Sequence, residues 1–421
     1  MLTKTGIVLG CYLSTLAWGW LLRGLNLRHL RRHGDEVPPC FVGTIDRERL
    51  QRSSGYTVAQ SRLGLFRSIL EAILLVLFLF GGLLGWYDRW VGGLGLSFIT
   101  SGLVFFILLS LAEGGADLPF NLYHTFVLEQ RYGFNRTTLS LWLGDLLKSA
   151  LITLLLLGGM LAGFLALVLW SPQRWWLWAW VMLAVVSLFL MYLSPYLIEP
   201  LFNKYEPLKD PELEAALRAM LERAGLRVST VQQVDASRRS GHSNAYFTGI
   251  GRVKRIVLYD TLLDQMSRDE ILAIFAHEVG HWQKGHIWKR LVVMEAGMLA
   301  VCYGAYCLVG WQGLPELLGY DTLSFNARLL MAGFLGSLAA FPLTPVGNWF
   351  SRQHERQADA YAVSLCGSGA ALASGLVKLS RENLANLHPH PLYAAWHFSH
   401  PPVVERVERL LSAGRDETAT G

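Results

Sequence analysis

Residues 277–281 read His-Glu-Val-Gly-His. In a helix, positions i and i+4 lie about 40° apart around the axis and one turn apart along it. His277 and His281 therefore present two imidazoles to one point, as a zinc ion requires. Glu278 lies between them and can reach a water on such an ion without binding the ion itself. The chemistry that suits this spacing is hydrolysis, with a carboxylate taking a proton from a water held at a metal. Two exposed histidines on an ordinary helix would show the same spacing, so the surroundings must decide.

Two histidines leave a catalytic zinc one protein ligand short of the usual three. One known extension of the motif places Gly three and His six residues beyond the second histidine. Here Gly285 and His286 fall four and five residues beyond His281, so that spacing fails. A carboxylate from a later helix is the other source. Residues 351–361 read SRQHERQADAY, which puts Glu355 and Asp359 one turn apart on one face. Glu355 would bind the zinc, and Asp359 would accept a hydrogen bond from a ligand imidazole and fix its tautomer. The competing reading is a solvated charged helix in which Arg352 and Arg356 pair with those acids. The histidine pair's need for a partner weighs against it.

The elements that must hold these residues are legible nearby. Ser267-Arg-Asp-Glu270 is a capping box that opens the motif helix. Ile271, Leu272, Ile274 and Phe275 would bury one side of that helix and hold the histidines rigidly. Residues 211–225 have helical apolar spacing with a Gly stop, and 228–235 and 253–259 read as strands. These segments belong to two polar stretches, 199–288 and 349–421, expected to fold together as one lobe.

The rest of the chain has a membrane composition. Of 421 residues, 52% are hydrophobic and only 16% charged, against about 25% charged in soluble proteins. The net charge of +5 is modest, and no nucleic-acid partner is expected. Five scattered cysteines without Cys-x-x-Cys spacing argue against a disulfide framework and a thiolate metal site. Seven candidate spans fall at 6–22, 65–87, 95–113, 149–171, 175–198, 289–311 and 326–348. The stretch 23–64 carries eight Arg, and 114–148 carries Arg131, Arg136 and Lys148, whereas the alternate loops are nearly bare. Positive charge stays on the cytoplasmic side. The N-terminus is then outside and the lobe with the metal motif cytoplasmic. Glu71, Glu113 and Glu295 would line the mouth of the membrane domain, and Trp175, Trp176, Trp178 and Trp180 an outer aromatic belt. Two domains follow, 1–198 in the membrane and 199–421 carrying the metal site, the second interrupted by the spans 289–311 and 326–348.

The chain resembles the integral-membrane zinc CAAX prenyl proteases nearly end to end. The matching pieces are EQRYGFNRTT (129–138), SPYLIEPLFNKYEPL (194–208), SGHSNAYFTGIG (240–251), HEVGHW (277–282), SRQHERQAD (351–359) and HFSHPPVVERV (397–407). The resemblance implies a mostly α membrane protein. Seven transmembrane helices would form a barrel around an internal chamber, capped by a thermolysin-like α+β zinc metalloprotease lobe. By position it implies that His277, His281 and Glu355 bind one zinc ion, that Glu278 is the general base, and that Asp359 supports the ligands. It further implies that Asn244 and Ala245 hold the substrate backbone and that His400 steadies the oxyanion. The partners implied are a lipid bilayer and a peptide or protein substrate, prenylated at its C-terminus in the family. The end of the chain lacks a basic retrieval signal and the loops are compact, which favours a bacterial inner membrane over an endoplasmic reticulum copy.

Three other readings compete. An intramembrane-cleaving protease would carry its motif on an apolar helix, but this helix begins SRDEIL and ends HWQKGH. A transporter or receptor with a structural zinc would close the site with four protein ligands and would have no need of Glu278. A pseudo-protease scaffold would keep the site without turnover.

Overall fold

Long apolar segments with few breakers leave the backbone no partner in a bilayer except itself, so they form helices. The computed structural model describes residues 3–226, 230–243, 245–250 and 253–418. Its first half contains α1 (Lys4–His33), α2 (Arg47–Leu79), α3 (Leu83–Gly93), α4 (Phe98–Tyr123), a π-helical turn (His124–Glu129), α5 (Gln130–Tyr132), α6 (Leu139–Trp170) and α7 (Trp175–Leu197). Then come β1 (Tyr205–Pro207), α8 (Pro211–Arg223), β2 (Thr230–Val234), β3 (Ala245–Ile250), β4 (Val253–Tyr259) and α9 (Asp260–Gln265). The second half follows with α10 (Arg268–Gln283), α11 (His286–Gly310), α12 (Phe325–Ala340), α13 (Thr344–Cys366), α14 (Ala370–Glu382), α15 (Pro391–His397) and α16 (Val403–Thr418).

Among the described residues, six helices are long and apolar enough to cross a membrane, or seven if α2 and α3 together count as one bent span. The second span is therefore not the straight 65–87 helix that hydropathy predicts. The chain turns by 61° between α2 and α3, at Gly81-Gly82, where Gly82 takes φ +85°. A side chain there would be strained, which is why a glycine marks the bend. The last span differs as well. It breaks around Pro342, with a 3-10 turn (Phe341–Leu343) between α12 and α13.

The spanning helices close a ring. α1 packs on α2, α2 on α4, α4 on α6, α6 on α7, α7 on α11 and α11 on α12, and α12 returns to α1. In each of the six spanning helices only 6% to 17% of the most apolar stretch is buried. A solid bundle would bury one whole face of every helix, so this ring is hollow. At the end carrying the α3–α4 and α11–α12 connections, Leu84, Phe105, Leu314 and Met331 pack in one cluster, each fully buried. Trp175 and Trp180 do not join an outer belt. Trp175 is buried against Phe164, Tyr306 and Phe325, and the Trp180 indole donates to the Glu295 carbonyl at 3.0 Å.

The two polar stretches form one lobe. Its core joins Leu217, Ile256 and Val279 to Ala362, Leu372 and Val407, the α1–α2 connection adds Phe41 and Ile45, and the first turn of α2 adds Leu50. A mixed sheet in the order β1-β2-β4-β3 flanks it. β2 runs parallel to β4, and among the described residues β3 pairs with β4 alone, antiparallel, which leaves β3 at the edge. Residues 228 and 229, expected to begin β2, lie outside the described residues.

The capping box forms as its spacing predicts. Ser267 accepts from the Glu270 backbone, and the Glu270 carboxylate accepts from the Ser267 N–H at 2.8 Å. Glu270 is buried and also meets Ser374 Oγ at 2.6 Å and Lys378 Nζ at 2.7 Å. Burial alone would raise its pKa, but Lys378, Ser374 and the cap together lower it. A carboxylate depressed in the folded state contributes stability above its unfolded pKa and loses it as pH falls through the folded value. Glu270→Gln should therefore lower the unfolding temperature of the purified protein at neutral pH, at a cost of about 1–3 kcal/mol. The gap from wild type should narrow below pH ~4.3, the ordinary Glu value. Thermal melts across pH check this, and a gap that does not depend on pH would contradict it.

Candidate active site

α10 and α13 cross at unusually close range. A Cβ on Gly280 would lie 3.0 Å from both Cα and O of Ala358, closer than ordinary contact. Gly280 is one turn beyond His277, and Ala358 is one turn beyond Glu355. The crossing therefore sets the Glu355 carboxylate against the two imidazoles. Glu355 Oε2 lies 3.2 Å from His277 Nε2, and Oε1 lies 3.3 Å from His281 Nε2. The two Nε2 atoms are 3.2 Å apart.

These three side chains fit a metal ion. Their donor atoms all lie within 4.8 Å of one another, and among the described residues no further His, Cys, Asp or Glu joins the group. Glu355 Oε2 is buried without a hydrogen-bond partner, an orphan that a cation would satisfy. Two imidazole nitrogens and one carboxylate oxygen suit a borderline cation, with a coordination position left open for water.

The ligands are oriented from behind. His277 Nδ1 meets Asp359 Oδ1 at 2.8 Å, which leaves Nε2 to face the ion. Arg406 grips Asp359 with two hydrogen bonds, Nη2 to Oδ1 at 2.6 Å and Nε to Oδ2 at 3.0 Å. His281 Nδ1 lies 3.1 Å from His286 Nδ1, while His286 Nε2 faces Gln357 Oε1 at 2.9 Å. The amide oxygen can only accept, so His286 donates through Nε2. Its Nδ1 then accepts from His281 Nδ1–H, and the lone pair of His281 Nε2 is free for a metal.

The field of the site is negative. Burial would lower the pKa of His277, but Asp359 and Glu355 overcome it and raise the imidazole to about 9. A field that holds a proton this firmly also attracts a divalent cation. Glu278 is half-buried beside these groups, and burial raises its carboxyl above the ordinary range, toward that of a working base. His400 stands on the open side, more than half exposed, with Nε2 3.3 Å from Glu355 Oε1. Its Nδ1 lies 2.9 Å from Ser399 Oγ.

The structure thus brings together His277, Glu278, His281, Glu355, Asp359 and His400. Ala245 opens the edge strand β3, opposite Leu258, and Asn244 lies outside the described residues. Arg352 does not pair with Glu355 or Asp359; its guanidinium caps the carbonyls of Ala395 and Phe398. Arg356 reaches Glu405 at 2.8 Å. Sequence reasoning missed Arg406 and His286. Arg406 lies in HPPVVERV without any local spacing to the motif, and His286 is set against His281 by the turn at Gly285, which takes φ +65°. Glu71 pairs with Arg67 at 2.8 Å, and Glu295 accepts from Ser187 at 2.9 Å.

Comparison with known proteins places this geometry in context. Residues 26–204 match the family model described as CAAX prenyl protease N-terminal, five membrane helices, and residues 207–413 match peptidase family M48. The chain is similar to CAAX prenyl protease 1 homolog of Arabidopsis thaliana, 34% identical over 387 residues that cover 89% of this chain and 90% of the relative. It is 32% identical to CAAX prenyl protease 1 of Saccharomyces cerevisiae over 412 residues, covering 89% and 88%. The human CAAX prenyl protease 1 homolog is 30% identical over 433 residues, covering 91% and 90%. Among solved structures, that of S. mikatae Ste24p superposes with a TM-score of 0.88 at 29% identity, covering 97% of this chain and 99% of that one.

Two substitutions test the geometry. Gly280→Ala should push the helices apart by a few tenths of an ångström and weaken metal binding at an unchanged ligand set. Asp359→Asn should weaken it by about 10- to 100-fold, the usual effect of losing a partner behind a ligand histidine. Chelator competition measures both, and wild-type affinity in either would remove that residue from the account.

Proposed function

Since the chain belongs to peptidase family M48 and is an integral-membrane metalloprotease, we propose that its metal is zinc and that it cleaves membrane-tethered peptides of the C-terminally prenylated CAAX type. The observation that carries this reading is the convergence of His277, His281 and Glu355, within 4.8 Å of one another and beside Glu278, with three protein donors rather than four among the described residues. A structural zinc would be closed by a fourth protein ligand, so the arrangement favours turnover over a transporter or scaffold role. CAAX specificity rests on the names and end-to-end coverage of the relatives.

In the mechanism we propose, His277, His281 and Glu355 would hold the zinc, which would supply Lewis acidity to the attacking water and the scissile carbonyl. Glu278 takes the proton of the attacking water and returns it to the leaving amine. The imidazole of His400 donates to the oxyanion as it develops. Asn244 and Ala245 hold the substrate backbone at the edge of the sheet, where main-chain pairing reads extended backbone rather than sequence. Asp359, gripped by Arg406, holds His277 in the tautomer that binds.

The charge order of the loops supports a cytoplasmic lobe with the N-terminus outside, and the compact loops support a bacterial inner membrane. A division at 198/199 agrees with family matches that end at 204 and begin at 207.

The test is cleavage of a farnesylated CAAX peptide and its unprenylated twin by purified protein, with zinc content measured. Glu278→Gln should abolish turnover while retaining about one zinc per chain; a variant that still cleaves would reject Glu278 as the base. His400→Ala should lower kcat by about 10²–10³ with the metal retained, the usual loss for an oxyanion donor. Wild-type kcat would reject that role.

A further inference from the structure

The π-helical turn His124–Glu129 at the end of α4 carries Glu129 into the boundary between the ring and the lobe. Turns of this kind widen a helix at a cost and tend to mark working positions. Glu129 is 8% exposed. One of its oxygens accepts from Tyr56 OH at 2.5 Å, and the other lies 3.2 Å from His242 Nε2. The opposite ring nitrogen of His242 lies 3.1 Å from Asn383 Oδ1, and the ring itself stacks on Phe134 at 3.9 Å and 20°.

Asn383 completes the chain of contacts. Its Oδ1 accepts from the Ser243 N–H at 3.2 Å, and its Nδ2 donates to the Ser243 carbonyl at 3.3 Å. One side chain thus satisfies both backbone groups of Ser243, as a neighbouring strand would. Ser243 Oγ donates to Gln265 at 2.6 Å, and Thr261 donates to the His242 carbonyl at 3.0 Å. The next residue, Leu384, is buried at φ +50°, a conformation that a leucine holds only where the surroundings enforce it. Two residues beyond Ser243, β3 begins. It has β4 on one side and, among the described residues, no strand on the other. A polar cavity of about 750 Å³ runs along this network, lined by Glu129, His242 and Asn383 and reaching Phe398, two residues from His400.

We propose that Glu129 is a positioning residue. Acting through His242 and Asn383, the membrane domain fixes the root of the edge strand on which the substrate backbone pairs. An edge strand with a single ladder partner can tilt and fray, and a substrate added to its free edge binds only when the strand is held in register with the metal site. The clamp supplies that restraint from outside the lobe. It makes productive binding depend on the junction between ring and lobe, without any contact between Glu129 and the reacting atoms. The binding part of this inference rests on the peptidase reading above.

Glu129→Gln and Asn383→Ala cut the clamp at its two ends. Each is expected to raise KM for the CAAX peptide about tenfold, with kcat within about twofold of wild type and metal content unchanged. The double variant should be no worse than either single, because both break one chain of contacts. In amide hydrogen exchange, residues 245–250 should exchange faster in each variant while α10 and α13 keep wild-type rates. Unchanged exchange in β3, faster exchange throughout the lobe, or additive KM effects would overturn the proposal. The exchange arm needs no peptide. A wild type that cleaves no CAAX peptide would therefore count against the proposed function alone, while β3 exchange would still decide the clamp.

Discussion

The close crossing of α10 and α13 at Gly280 and Ala358 is the constraint on which the rest of the molecule depends. It carries the buried Glu355 carboxylate to the two imidazoles, and a charge at that depth is tolerable only with partners on all sides. Arg406 lies 3.7 Å behind it and Asp359 answers Arg406, so each buried charge faces its opposite. The hydrophobic core of the lobe surrounds this pair of helices and fixes their separation. A side chain at position 280 would act on every ligand at once, because no ligand is placed independently of the crossing.

The membrane half is arranged differently. Its helices touch neighbours along narrow seams and leave their inner faces open, so its rigidity comes from closure of the ring and from the buried cluster of Leu84, Phe105, Leu314 and Met331. The two halves are joined through shared packing as well as through the chain. Phe41 and Ile45, from between the first two helices, and Leu50, from the start of α2, lie in the core of the lobe, and Arg49 reaches Glu382 at 2.9 Å. The lobe is thus seated on the ring by residues far away in sequence.

Much of this was legible in the sequence because its signals are local. The i, i+4 histidines, the capping box and the helix over 211–223 need only short-range spacing, and the apolar runs need only length. The hidden features depend on contacts between distant segments. β1 has three residues, and its partner in the sheet cannot be read from so short a stretch. The bend at Gly81-Gly82 falls inside the apolar run 65–87, where hydropathy carries no signal of it. Arg406 and His286 support the ligands from positions that no motif spacing links to them. Trp175 and Trp180 read as belt residues because hydropathy cannot tell a lipid-facing ring from one wedged between helices. His242 sits between Glu129 and Asn383, partners that no motif spacing links to it.

The pairing proposed at the β3 edge, which among the described residues has no strand on its outer side, has a consequence for what can reach the metal site. A strand edge offers its N–H and C=O groups at the spacing of extended backbone. A helical segment has already committed those groups to itself and would have to unwind before it could dock. Under that pairing the gatekeeping property would be the folding state of a target rather than its amino-acid identity. Frayed tails and unstructured termini would be within reach, while an intact neighbouring domain would be safe although it carries the same residues.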